Sequence, residues 1–187
     1  MDILFINACV RTESRTHKLA EKVLQKLNGR VTEINLENEN IVPLTQKSLI
    51  ERSKLIEQER YDDDVFFKYA KQFAQAEIIV IAAPFWDLSF PALLKCYIEA
   101  INIVGITFKY TSHGIESLCR AKKLFYVTSA GGTIVDDSFG FGYIKALAKT
   151  LYGISDVQMF KAEGLDIIGA DKEAIMQNAL DNIDAVL

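Results

Sequence analysis

Residues 78–110 read IIVIAAPFWDLSFPALLKCYIEAINIVGITFKY. Six apolar residues open the stretch, Ile78 to Ala83, and Pro84 bounds them. A short continuous apolar run of this kind fits a strand buried on both faces of a parallel sheet. It falls well short of the roughly 18 apolar residues a membrane span requires. Phe85, Trp86 and Phe90 follow just past the strand's carboxyl end, with Asp87, Leu88 and Ser89 among them. Pro91 suits the first turn of a helix, where its missing N–H costs nothing. Leu93, Leu94, Tyr97, Ile98 and Ile101 then recur at helical spacing, so that helix buries one face. A strand, an aromatic loop and a packed helix make half of a ligand crevice in an open α/β sheet. The same aromatics also fit an ordinary core.

Outward from this centre, strands and helices alternate. Ile3 to Ile6 form the first strand, and Leu19, Ala20, Val23, Leu24 and Leu27 mark a helix closed by Asn28-Gly29. Val31 to Leu36 form a weaker strand that suits a sheet edge. The charged run from Glu37 to Asp64 holds an exposed helix over Ser48–Ile56 and is read as an insertion lying over the sheet, without chemistry. Phe66, Tyr69, Ala70, Phe73 and Ala74 stripe the helix before the central strand. Gly105 to Gly114 reads as irregular, with two exposed aromatics. Leu124 to Thr128 and Val157 to Ala162 supply the fourth and fifth strands, followed by helices marked by Ile144, Leu147, Ala148 and Leu151 and by Ile175, Met176, Ala179, Leu180 and Ile183. This alternation predicts a doubly wound α/β fold, a five-stranded parallel sheet of order 2-1-3-4-5 with helices on both faces, in a single domain over residues 1–187.

Composition removes several function classes. A net charge of −4 over 187 residues argues against general nucleic-acid binding. Three cysteines without a C-x-x-C pair and two histidines leave no zinc site, disulfide framework or metallohydrolase motif. No metal is expected. The N-terminus lacks a basic segment and a cleavage site, so the expected location is cytoplasmic, away from the membrane.

Three loops converge at the switch point between the first and third strands. Arg11 to His17 is rich in hydroxyls and bases at a helix start, which suits a phosphate; Ser14 would serve equally as a plain N-cap. Pro84 to Phe90 suits a flat aromatic body. Ser129-Ala130-Gly131-Gly132 permits close backbone approach to the polar edge of that body, or forms a simple turn. A mononucleotide with a planar ring fits all three, with flavin mononucleotide (FMN) the first candidate.

At these residues the chain resembles the FMN-dependent NADH-azoreductases and NAD(P)H:quinone oxidoreductases of the flavodoxin-like fold. The likeness runs over nearly the whole chain and is most specific at Pro84-Phe85-Trp86-Asp87-Leu88, Leu94-Lys95, Gly105 to Thr111, Ser129 to Gly132, Gly153 to Val157 and Glu163-Gly164. The resemblance implies a phosphate clasp at Ser14, Arg15 and Thr16, and ring contacts from Pro84, Phe85, Trp86, Asp87 and Leu88. It places Ser129, Ala130, Gly131 and Gly132 at the pyrimidine edge. It further implies a homodimer, with Phe108 and Tyr110 lining the substrate pocket. NADH or NADPH would be the co-substrate, and a quinone or azo compound the acceptor, in a ping-pong reaction whose chemistry lies with the flavin. No catalytic side chain is assigned. The chain departs from the family pattern at Ala8 and Cys9, where a serine is frequent, at Asp87 in place of asparagine, and at Ala130 in place of arginine. It also lacks the usual acidic residue and proline around Ser112 to Ile115. Two other classes remain open: a flavodoxin-like electron carrier, and a flavin-less binding or sensor module.

Overall fold

The computed structural model describes residues 1–187 apart from the side chain of Asp64. Its first half contains β1 (Asp2–Asn7), α1 (Arg15–Lys26), β2 (Arg30–Asn35), α2 (Gln46–Glu57), α3 (Asp64–Gln75) and β3 (Ile78–Ala82). Then come α4 (Ala92–Ile101), β4 (Phe108–Thr111), β5 (Gly114–Ser117), β6 (Lys123–Ser129), α5 (Phe141–Thr150), β7 (Asp156–Ala162) and α6 (Lys172–Val186).

The main sheet runs β2-β1-β3-β6-β7, and every pairing in it is parallel. Counting that sheet's strands alone, this is the expected 2-1-3-4-5 order. All five residues of β3 are buried, because helices cover both faces. Leu4, Ile6, Ile79, Ile81, Leu124 and Tyr126 face one layer, with Phe73 of α3, Leu94 of α4 and Ile144 of α5. Ile3, Phe5, Ile78, Val80, Phe125 and Val127 face the other, against Leu19 of α1 and Ile183 of α6. The period of two along each strand is what a pleated sheet with two buried faces demands.

Two features depart from the expectation. Gly105 to Gly114 is not irregular: β4 and β5 pair antiparallel as a separate hairpin. Phe108 is only 6 % exposed, whereas Tyr110 is 68 % exposed, so one of the two aromatics read as exposed is buried. The buried Thr107 sets the hairpin's start. Its hydroxyl donates to the Ile101 carbonyl at 2.7 Å and accepts from the Ile103 N–H at 3.2 Å, ending α4. The second is the place of α2: it is the exposed helix expected over Ser48–Ile56 and buries no residue, but it rests on a helix instead of the sheet. A capping box between Thr45 and Ser48 starts it, and Leu55 and Ile56 rest against Phe67, Ala70 and Ile103. It therefore packs on α3 and the chain after α4. Among the described residues, no helix is long and apolar enough to cross a membrane.

Candidate functional site

The carboxyl ends of β1, β3 and β6 lie side by side, and the loops leaving them enclose a hollow of about 320 Å³. That is within the usual range for small-molecule sites. From the first loop Ser14, Arg15 and Thr16 line it, from the second Pro84, Phe85 and Trp86, and from the third Ser129, Ala130 and Gly131. Asp87, Leu88 and Gly132 lie in the same loops beyond the lining, and Phe108 and Tyr110 do not line this hollow. Cys9, Val10, Arg11, Glu13, Leu165 and Asp166 also line it.

The first loop is held at both ends. The Ala8 N–H donates to the Ala82 carbonyl at 2.8 Å, and the Cys9 N–H to Asn7 Oδ1 at 3.0 Å. Ser14 is the N-cap of α1 and accepts from the His17 N–H at 3.2 Å. The N–H groups of Arg15 and Thr16, at the first helical turn, have no intrahelical acceptor. Together with the helix dipole they favour an anion. Buried Thr16 bonds Ser129 Oγ at 2.7 Å and so ties the first loop to the third. Burial pushes the Cys9 thiol up to about 11, which keeps it a neutral wall group rather than a thiolate.

The second loop follows β6 before turning: the Phe85 N–H donates to the Ser129 carbonyl at 3.0 Å. Trp86 and Ser89 then exchange both backbone hydrogen bonds, at 3.0 and 2.7 Å, across a two-residue turn. Asp87 and Leu88 occupy it with φ of 50° and 66°. Both central residues are left-handed, the pattern of a type I′ turn that Asn-Gly normally fills. For a branched residue such as Leu88 this strain costs roughly 1–2 kcal/mol. Ser89 Oγ donates to the Phe139 carbonyl at 2.6 Å, fixing the turn against the chain before α5.

The third loop is zipped to the chain after β7. Leu165, Asp166 and Gly164 donate their N–H groups to the carbonyls of Ala130, Gly131 and Gly132 at 3.2, 2.8 and 2.9 Å. Glu163 adds a side-chain tether, accepting from the Ile134 N–H and from Lys161 Nζ, each at 2.8 Å. Partial burial pushes the Glu163 carboxyl up, but these two hydrogen bonds outweigh it and hold the group below its ordinary 4.5. A carboxyl lowered in the fold stabilises it above the unfolded value and loses that contribution as the pH falls through the folded one. The tether is therefore complete at neutral pH and releases as the pH drops below 4.5. The Ile134 amide resonance should move on acidification in the wild type and stay still in Glu163→Gln.

Asp166, in the chain after β7, reaches across to Arg15, at 3.3 Å, and to Lys172, at 3.4 Å. The hydrogen bond from Arg15, the largest influence, holds its carboxyl below the usual range. Sequence reasoning missed Asp166; its position just after β7, at the sheet's carboxyl edge, was the available signal. Among the described residues, no cluster of three or more metal-ligating side chains occurs. Taken together, the site offers free N–H donors at a helix start, an aromatic bend and a glycine corner, arranged for a flat phosphorylated ligand.

A family profile described as flavodoxin-like fold matches residues 1–187. The chain is 38% identical to the FMN-dependent NADH:quinone oxidoreductase 2 of Clostridium acetobutylicum, covering 96% of this chain and 94% of that one. It is likewise 38% identical to the FMN-dependent NADH:quinone oxidoreductase of Lachnoclostridium phytofermentans, over 92% of this chain and 90% of that one. In fold it is similar to a crystal structure of an azoreductase from Bacillus anthracis, with a TM-score of 0.86, 24% identity and coverage of 100% and 98%. The chain therefore belongs to the family of the FMN-dependent NADH:quinone oxidoreductases, of flavodoxin-like fold.

Proposed function

We propose that this chain is an oxidoreductase that holds FMN in the hollow and, with NADH as electron donor, reduces quinones and azo compounds. One observation carries this reading: three loops from β1, β3 and β6 meet around one hollow that has an anion seat at a helix start. The residues present fit the group. Ser14, Arg15 and Thr16 would hold the phosphate, Pro84 to Leu88 the ring body, and Ser129 to Gly132 the ring's polar edge. Gly131 supports the fit, since it lines the hollow with backbone alone and so lets a ring approach closely. Bound there, FMN would supply hydride acceptance from the nicotinamide and electron delivery to the acceptor.

The chain's own residues bind, orient and shield. None is assigned as a proton donor. Asp87 is exposed on the strained turn, and His113 sits in the β4–β5 turn with its N–H on Thr111 Oγ1 at 3.2 Å. Donor and acceptor would share one open mouth in turn, which gives ping-pong kinetics. Leu88, Phe139 and Tyr110 are large apolar side chains left exposed, and they suit a second copy of the chain in a homodimer. Tyr110, rather than buried Phe108, is then the residue free to reach the partner's mouth.

The test is a visible spectrum of the purified full chain. Flavin bands should be present, should bleach with NADH in the absence of oxygen, and should return on adding menadione. Methyl red in place of menadione tests the azo substrate, and parallel double-reciprocal plots test the kinetic scheme. A colourless protein in which added FMN supports no NADH oxidation would overturn the proposal.

A further inference from the structure

We propose that Arg11 makes the hollow select a phosphorylated flavin over an unphosphorylated one, and that its guanidinium does so by leaving the ring of Trp86 for the phosphate. This rests on the reading of the hollow as an FMN site. Four charged side chains line the hollow: Arg11, Glu13, Arg15 and Asp166. Three of them already have charged partners. Glu13 pairs with Lys18 at 3.2 Å, Arg15 with Asp166 at 3.3 Å, and Asp166 also with Lys172 at 3.4 Å. Among the described residues, no carboxylate lies within ion-pair distance of Arg11. Its guanidinium instead lies over the Trp86 ring, 5.9 Å from the centroid.

The seat's other free donors are uncharged: the N–H groups of Arg15 and Thr16 at the helix start and the Ser14 hydroxyl. Ala8 and Cys9 carry no hydroxyl, and the Cys9 N–H is engaged by Asn7. Thr16 and Ser129 are bonded to each other, while Ser14 Oγ accepts from His17 and keeps its own O–H to donate. A phosphate monoester carries about −1.5 to −2 charges at neutral pH, whereas a helix start supplies about half a positive charge. A guanidinium adds a full charge and a fork of N–H donors that matches phosphate geometry. A charge-assisted pair of that kind outweighs an exposed contact between guanidinium and ring, so the exchange runs toward the anion. Trp86 sits on the bend beside the strained turn at Asp87 and Leu88. Filling the seat thus uncovers the Trp86 ring, while the backbone of the bend stays held by its bonds to Ser89.

Trp86 is the chain's single tryptophan, so its emission reports the exchange directly. Full-length wild type, Arg11→Gln and Arg11→Lys, freed of flavin, are titrated with FMN and with riboflavin by flavin fluorescence. Inorganic phosphate is added separately while tryptophan emission is followed. Arg11→Gln should bind FMN about 10- to 100-fold more weakly while riboflavin affinity stays within about twofold. Arg11→Lys should recover part of the loss. Phosphate should shift the emission of the wild type and leave that of Arg11→Gln unmoved. Equal losses for both flavins, no loss for FMN, or an undiminished phosphate response in Arg11→Gln would each overturn the proposal while the FMN site stands. A wild type that binds neither flavin would overturn the FMN reading itself, and this inference with it.

Discussion

Gly131→Val should yield a folded protein with a much weakened hold on FMN. A Cβ built at Gly131 falls 2.6 Å from Asp166 Oδ2 and 3.3 Å from Asp166 Cβ. Asp166 must move aside, which breaks its pair with Arg15 at the start of α1. The branched side chain then stands at a corner of the hollow that the wild type leaves open. Crowding of this kind between the valine and the bound ligand costs about 1–3 kcal/mol, which lowers FMN affinity roughly 5- to 150-fold. The backbone at Gly131 is outside the left-handed region, so valine adds no strain in φ. The thermal midpoint should stay close to wild type, because the clash falls on the exposed side chain of Asp166, which can swing into solvent, and such surface changes alter stability by about 0.5 kcal/mol or less. Equilibrium titration with FMN and a melting curve separate the two effects. Wild-type FMN affinity in this variant would show that the third loop does not bound the ligand.

Phe73→Ala should act in the opposite manner, on the fold rather than the site. Phe73 is 1 % exposed and its ring lies 4.7 Å from that of Tyr152. Tyr152 in turn donates to Asn102 Oδ1 at 2.6 Å, and its carbonyl accepts from Ser117 Oγ at 2.6 Å. One aromatic contact thus joins α3 to the chain beyond α5, to the end of α4 and to β5. Truncation to alanine leaves a cavity costing about 3–5 kcal/mol, or roughly 6–20 °C in the melting temperature of a chain this size. A loss below about 1 kcal/mol in denaturant unfolding would mean that the surroundings collapse into the gap.

The sheet was legible because its central strand is apolar on both faces and its neighbours are short apolar runs. The sequence also carried the three loops of the hollow, since each directly follows such a run. The hairpin was not legible. Phe108 to Thr111 and Gly114 to Ser117 are four residues each, and what positions them is Thr107 bonding to Ile101 and Ile103. Nothing local marks a threonine as a helix terminator. Asp166 was hidden for a different reason: its partner Arg15 is 151 residues away, and the pairing exists only once β7 is placed at the sheet's edge. The turn at Asp87 and Leu88 lacked its usual Asn-Gly signature. Tertiary contacts, including Ser89 with Phe139, hold a conformation that the local residues do not favour.

The exposed helix α2 has a practical consequence. It joins the remainder through Leu55, Ile56 and a hydrogen bond from Arg52 to the Glu99 carbonyl, so it sits at the low end of local stability. Such segments accept inserted sequence with little penalty. A reporter domain spliced into the outer turns of α2 would leave the ligand hollow, which no residue of α2 lines, intact.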